Sequence, residues 1–253
     1  MLPKIKLFNT WITAATYRQY LHNIILLADA RKSSYVCFAN VHMLMDAYQT
    51  PAFSQVVNEA DIVTPDGKPL SVLMNLQYKN KQERACGMDL LPDILKEAEK
   101  RDLSVFFYGS TDEVLETIQQ KAGHEFPSLT IAGAYSPPFR PLTPEEDKEV
   151  VEMINASGAN LVFVSLGCPK QEKWMHEHKG QIQGCMLGLG QAFLTYAGLE
   201  KRLPKWARDL SLEWAYRFYL EPKRLWKRYL IGNSRFLWLA AKSILPHKEH
   251  KIS

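Results

Sequence analysis

Asp66 is the residue in this chain best placed for proton chemistry. It sits in TPDGKP, where Pro65, Asp66 and Gly67 break a short apolar run. A carboxylate in a strand-end turn can take a proton from an incoming hydroxyl. The common structural alternative is an Asp-Gly turn whose side chain bonds its own backbone. A second group lies in GCPKQEKW. There Gly167 would let backbone approach a ligand closely, and Pro169 pre-sets a first helical turn. Lys170, Gln171 and Glu172 then crowd one rim. Lys170 could meet phosphate, and Gln171 could donate and accept toward a sugar or base. The competing reading is an ordinary solvated helix start. Arg84, in ERACGMD, offers a cation for phosphate with Glu83 and Asp89 as orienting partners, against the alternative of a local ion-pair network. Asn40 ends the run SYVCFAN. His42 follows two residues later and could share a pocket with Asn40 only because the chain turns there. A lone His near a helix start is more often structural.

Other chemistries lack their signatures. There is no GxSxG nucleophile elbow, no DxD pair and no Walker A ending. LGCPKQ and GLGQAF do not match a dinucleotide fingerprint, and GSTDE lacks its glycines. The turns at Gly109 and Gly167 could still present backbone N–H groups to phosphate at a helix start. No His, Asp or Glu cluster has metal spacing, and neither metal nor cofactor is expected. His176 and His178 lie in a hydrophilic stretch and read as surface residues. Cys37, Cys86, Cys168 and Cys185 are scattered, as expected of reduced and mostly buried thiols.

The elements that must position these residues alternate along the chain. Strands are expected over 34–40, 61–67, 103–110, 129–136, 159–167 and 185–190. Helices are expected over VHMLMDAYQ, near 53–59, over 87–101, after a Thr111 cap with Asp112 and Glu113 in its first turn, within 141–157, and from PKQEKWMHEH. Strand, glycine turn and helix in repetition predict an α/β body with a mostly parallel sheet. Such sheets bind ligands beyond the carboxyl ends of their strands. Asn40, Asp66, Gly109, Gly133, Gly167 and Gly188 all fall there.

The 253 residues suffice for one large core, or one core with a small appendage. The start has no export-signal pattern and no run is long enough to span a bilayer, so work on the cytosolic side is expected. Charge is unevenly placed. Residues 201–253 hold 13 Lys or Arg against 4 Asp or Glu, and the rest hold 18 against 23. The basic tail also carries nine aromatic residues. Arg224, Arg228, Arg235 and Lys242 fall along one helical face, and Leu225, Tyr229, Phe236 and Leu239 along an adjacent one, interrupted by Gly232. A catalytic body over 1–199 and a helical appendage over 200–253 are therefore expected. Basic charge with aromatics suits an anionic membrane surface, and short amphipathic pieces could equally cover a neighbouring subunit. A nucleic-acid-binding or membrane-binding protein without enzymatic activity is the alternative.

Ordered blocks then bring a resemblance. FANVHMLMDA, ADIVTPDGKPL, QERACGMDLLPDIL, FFYGS, LGCPKQEKW, GLGQAFLTYAG, KRLPKWARDLSLEWAYR and EPKRLWKRYL resemble, in this order and over nearly the whole chain, the WecG/TagA/CpsF family of bacterial glycosyltransferases. The resemblance implies a Rossmann-like body and a metal-independent, inverting transfer from a UDP-sugar to a polyprenyl-diphosphate-linked saccharide, for cell-surface polysaccharide. It implies Asp66 as base, Arg84 near the diphosphate, Asn40 and Gln171 on the sugar, and Arg224 and Arg228 near the acceptor's diphosphate. It implies association with the inner face of the cell membrane and no nucleic acid. Two positions depart from the family pattern: Phe38 stands where many members have Thr, and Leu194 where many have Asp.

Overall fold

The computed structural model describes residues 2–79, 81–201, 203–204, 206–207, 213–220, 222–226 and 232–244. Six parallel strands form the central sheet: β3 (Ser34–Ala39), β4 (Ile62–Pro65), β5 (Val105–Gly109), β6 (Ile131–Tyr135), β7 (Leu161–Ser165) and β8 (Cys185–Gly188). Their spatial order is β4-β3-β8-β7-β5-β6. All six lie within the segments expected from sequence. Continuous apolar runs such as SYVCFA are what a parallel sheet covered on both faces requires, and all six residues of β3 are buried.

Strand side chains alternate between two cores. Tyr35, Cys37 and Ala39 join one core with Phe106, Val162 and Met186. Val36 and Phe38 join the other with Phe107, Phe163 and Leu187. The first core is covered by α2 (Val41–Gln49), α3 (Pro51–Asn58), α4 (Lys68–Tyr78), α7 (Pro144–Ala156) and α8 (Lys170–Glu177). The second is covered by α1 (Tyr17–Asp29), α5 (Gly87–Lys100), α6 (Asp112–Glu125) and α9 (Ala192–Ala197). The helix-start signals hold: Thr111 caps α6 by accepting from Val114 N, and Thr143 with Glu146 forms a capping box on α7.

The apolar pattern did not flag five elements. Two are the strands β1 (Lys4–Leu7) and β2 (Thr10–Thr13), a hairpin fastened to the sheet by Val63 N donating to Thr13 Oγ1 at 3.0 Å. The others are α1, α4 and α9. Their sequences mix polar residues into the apolar face, and tertiary packing fixes them rather than a clean period.

In the tail, α10 (Glu213–Leu220), α11 (Pro222–Trp226) and α12 (Gly232–Ile244) are described. α12 is described from Gly232 onward, and residues 227–231, over which the longer amphipathic stretch was expected, lie outside the described residues. Phe236 and Leu239 bury against α2 and α4, while Arg235 and Lys242 stay exposed, as their spacing predicts. Phe236 meets Phe8 of the hairpin edge-on at 6.0 Å. Among the described residues no helix is long and apolar enough to cross a membrane.

Candidate active site

The carboxyl ends of β3, β4, β7 and β8 surround a cavity of about 600 Å³. It lies beyond the carboxyl ends of these strands, the edge at which open parallel sheets bind ligands. Asn40, His42, Asp66, Arg84, Gly167, Gln171 and Glu172 all line it.

On the wall formed by β3 and β4, backbone contacts set the geometry. Asp66 N donates to Ala39 O at 2.8 Å and Gly67 N to the same oxygen at 3.4 Å, so the two strand ends are tied together. A Cβ on Gly67 would lie 3.6 Å from Asn40 Cα, which shows how closely the turns approach. Arg84 reaches across from the segment before α5, and its Nε donates to Asp66 O at 2.7 Å. One cation thereby fixes the turn that carries the carboxylate while lining the same cavity. The buried Cys86 thiol, its pKa pushed well up by burial and then by Asp66, lies beside that carboxylate. Asn40 is the N-cap of α2, with its Oδ1 accepting from Met43 N at 3.1 Å. That cap uses the side-chain oxygen and not the amide nitrogen. His42 Nε2 lies 3.4 Å from Asp46 Oδ2.

The opposite wall, built by the ends of β7 and β8 and the start of α8, differs from the sequence expectation. Gln171 is buried, not solvated. Its Nε2 donates to Gly188 O at 2.7 Å and to Glu172 Oε1 at 2.8 Å, and its Oε1 accepts from Gly167 N at 3.1 Å. Both amide protons are therefore used within the protein, and the Gly167 N–H is committed to Gln171 instead of phosphate. A Cβ on Gly188 would sit 3.0 Å from Gln171 Nε2 and 2.7 Å from Met175 Cε, so α8 packs closely beneath β8 and a side chain there would push on both. Glu172 is 0 % exposed, and burial pushes its carboxyl up to about 7 against the hydrogen bond from Gln171.

Two expected residues fall outside the cavity. Lys170 is exposed on the outer side of the first turn of α8 and is not among the lining residues. Gly109 is buried at φ +102°, and a Cβ there would lie 2.4 Å from Ser165 O. Its lack of a Cβ is what lets β5 approach β7 so closely. Arg228 and the side chain of Arg224 lie outside the described residues. His178, expected at the surface, is 2 % exposed; its Nδ1 lies 2.7 Å from Trp174 O and its Nε2 2.9 Å from Asp147 Oδ2, and it stacks on Trp174.

Sequence reasoning missed other contributors. Lys68 lines the cavity two residues after Asp66, at the first turn of α4; the signal was its place in the same short block. Met88 and Leu189 add apolar surface, and Phe218, Phe236 and Leu237 bring the tail to the mouth. Of the two departing positions, Phe38 lines the cavity against Gly87, whereas Leu194 packs on the core formed with α5 and α9. Among the described residues, His42, Asp46 and Cys168 form the one trio with ligand atoms within 4.8 Å of one another, and each of the three has further interactions.

A carboxylate and an arginine at one strand-end cavity fit a transfer between anionic and hydroxyl substrates. The family comparison decides which kind. The model of the glycosyl transferase WecG/TagA/CpsF family matches residues 5–250. The chain belongs to this family. Among its similar relatives are proteins named N-acetylglucosaminyldiphosphoundecaprenol N-acetyl-beta-D-mannosaminyltransferase. The one from Bacillus spizizenii is 34% identical over 203 residues, covering 80% of this chain and 77% of the relative. That from Bacillus subtilis is 30% identical over 204 residues, with the same coverage. That from Staphylococcus aureus is 27% identical over 225 residues, covering 88% and 87%. As a WecG/TagA/CpsF member, the chain is a glycosyltransferase of cell-surface glycan synthesis.

Proposed function

We propose that this glycosyltransferase moves a sugar from a UDP-sugar to a polyprenyl-diphosphate-linked saccharide, with inversion and without a metal, and that Asp66 is its base. The observation that carries the reading is the Asp66 turn, pinned by Arg84 Nε at 2.7 Å, at a cavity that also holds Asn40. In the reaction, the Asp66 carboxylate takes the proton of the acceptor hydroxyl. The freed oxygen bonds to the anomeric carbon as the bond from that carbon to the diphosphate oxygen breaks, and UDP departs with the electron pair. Attack from the face opposite the diphosphate inverts the centre. This agrees with the β-linked product in the names of the relatives, given an α-linked donor.

Arg84 and Lys68 are the lining cations that would face the departing diphosphate, where positive charge counts most as charge develops. Asn40 would meet the sugar through its amide. Gln171 acts on the sugar only indirectly, by holding the Gly167 and Gly188 turns. Phe38 gives the wall an apolar face and is the departing position that would shape the donor's fit.

Residues 1–199 serve as catalytic body and 200–253 as the element that meets the lipid acceptor and the anionic inner membrane surface. Exposed Trp206, Tyr219, Leu237 and Trp238 in this basic segment support that division. Arg224 and Arg228 remain assigned to the acceptor's diphosphate by family likeness. A panel of UDP-sugars tested against short polyprenyl-diphosphate mono- and disaccharides, without added metal, checks the reading. Turnover by at least one pair is expected, and a metal requirement or the absence of transfer across the panel would count against it.

A further inference from the structure

One buried side chain at the cavity has no part in the transfer as derived. Glu172 Oε2 is buried with no hydrogen-bond partner, although the other carboxyl oxygen accepts from Gln171. Hydrogen bonds from Gln171, from its own backbone N–H and from Cys168 favour the charged carboxylate, and burial and Asp46 oppose it. Asp46 of α2 works against the charged carboxylate, and Glu172 in turn adds to the burial that keeps the Cys37 thiol of β3 protonated. Elsewhere on α8, Glu59 of α3 is engaged by His176 at 2.7 Å and Asp147 of α7 by His178. A buried carboxylate so placed is costly, and burial outweighs the hydrogen bonds to it and pushes the carboxyl up to about 7, so that it keeps its proton below neutrality.

We propose that Glu172 is a positioning residue that works as a neutral acid, and that binding of the donor's diphosphate is coupled to keeping a proton on it. The inference rests on the nucleotide-sugar reading above. Its geometric basis is a short chain of bonds. Glu172 Oε1 holds Gln171, and Gln171 holds Gly167 N–H and Gly188 O, the two turns that line the cavity. Ionising Glu172 adds a second negative charge near Asp46, in a wall that faces an anionic ligand. A bound anion and an ionised Glu172 repel each other, so each weakens the other by the same factor.

The sign follows from linkage. The bound diphosphate raises the proton affinity of Glu172 further, so UDP binding takes up protons above neutrality and weakens as pH rises. Calorimetric titration of the full chain with UDP from pH 6 to 8.5, in buffers of different ionisation enthalpy, reads both quantities. The wild type should lose roughly three- to tenfold in affinity across this range, the size of a half- to one-unit coupling. Glu172→Gln should flatten the loss and bind UDP more tightly than the wild type at pH 8.5. UDP's own titration is common to both proteins and cancels in the comparison. Equal slopes in the two proteins, or no proton uptake by the wild type at pH 8, would overturn the proposal.

Thermal unfolding supplies a ligand-free arm. The folded carboxyl titrates near 7 against an ordinary 4.5. The wild type should therefore lose stability relative to Glu172→Gln as pH rises from 4.5 to 7, with the gap constant above that. If UDP binds neither protein but this gap appears, the nucleotide reading fails while the neutral acid stands. If UDP binds and no gap opens, the neutral acid fails and the nucleotide reading survives.

Discussion

The two walls of the cavity use the same residue types in opposite ways. At the Asp66 turn, backbone and Arg84 fix the main chain, and side chains line the cavity. At the start of α8, a side chain fixes the main chain: Gln171 bonds the ends of β7 and β8, and Glu172 is withdrawn behind it. Polar residues at a strand end thus divide by what else can satisfy the backbone. Where neighbouring carbonyls suffice, the side chain faces the cavity. Where two glycine turns leave an N–H and a carbonyl unpaired, a side chain must serve them.

The strongest way to break this contrast is Asp66→Asn. If the first wall does the chemistry, turnover with lipid acceptor should fall by about 10²–10⁴-fold, the usual worth of a positioned base. UDP affinity should change little, because the amide keeps the shape of the turn. Full turnover in the variant would remove Asp66 from the reaction. Loss of binding alone would move it to the ground state.

Arg84→Lys should be milder and should strike both binding and rate. Lysine keeps the charge but lacks the planar fork that bonds Asp66 O while facing a diphosphate. A charged hydrogen bond is worth about 1.5–3 kcal/mol, so kcat/KM should fall by roughly ten- to a hundredfold. Unchanged kcat/KM would mean that Arg84 is only a local structural cation.

Gln171→Ala probes the second wall and should register first in stability. It would strand Gly188 O and Gly167 N–H, at a cost of about 1–3 kcal/mol read by denaturant unfolding. Weakened UDP binding should accompany the loss, with kcat less affected than in Asp66→Asn. A variant that is fully stable yet inactive would instead place Gln171 on the substrate.

The same contrast explains what could be read from sequence. Apolar runs ending in Asn40, Asp66, Gly167 and Gly188 gave the sheet and the end at which a ligand binds, because a parallel sheet buried on both faces leaves an unmistakable run. The roles of Gln171, Glu172 and Gly109 were not legible. KQEKWMHEH looks solvated, but α8 packs with Gln171 and Glu172 inward, and only the partner glycines at 167 and 188 explain why. Gly109 resembled a phosphate turn, yet its φ and its 2.4 Å contact with Ser165 O depend on β7, far along the chain. His178 was misplaced for the same reason, since Asp147 and Trp174 satisfy it inside.

Lys170 carries the smallest expected effect and the sharpest test of where the second wall ends. It adjoins Gln171 and was expected to meet phosphate, but it is exposed and lies outside the cavity lining. An exposed charge beyond the first shell of a ligand acts through water and salt, with a reach of about 8 Å at physiological ionic strength. Lys170→Ala should therefore leave kcat/KM within about twofold at 150 mM salt, with any deficit shrinking as salt rises. A tenfold, salt-insensitive loss would mean that α8 rotates when the donor binds and brings Lys170 onto the diphosphate. The division between a wall that meets substrate and a wall that only supports it would then hold for the empty site alone.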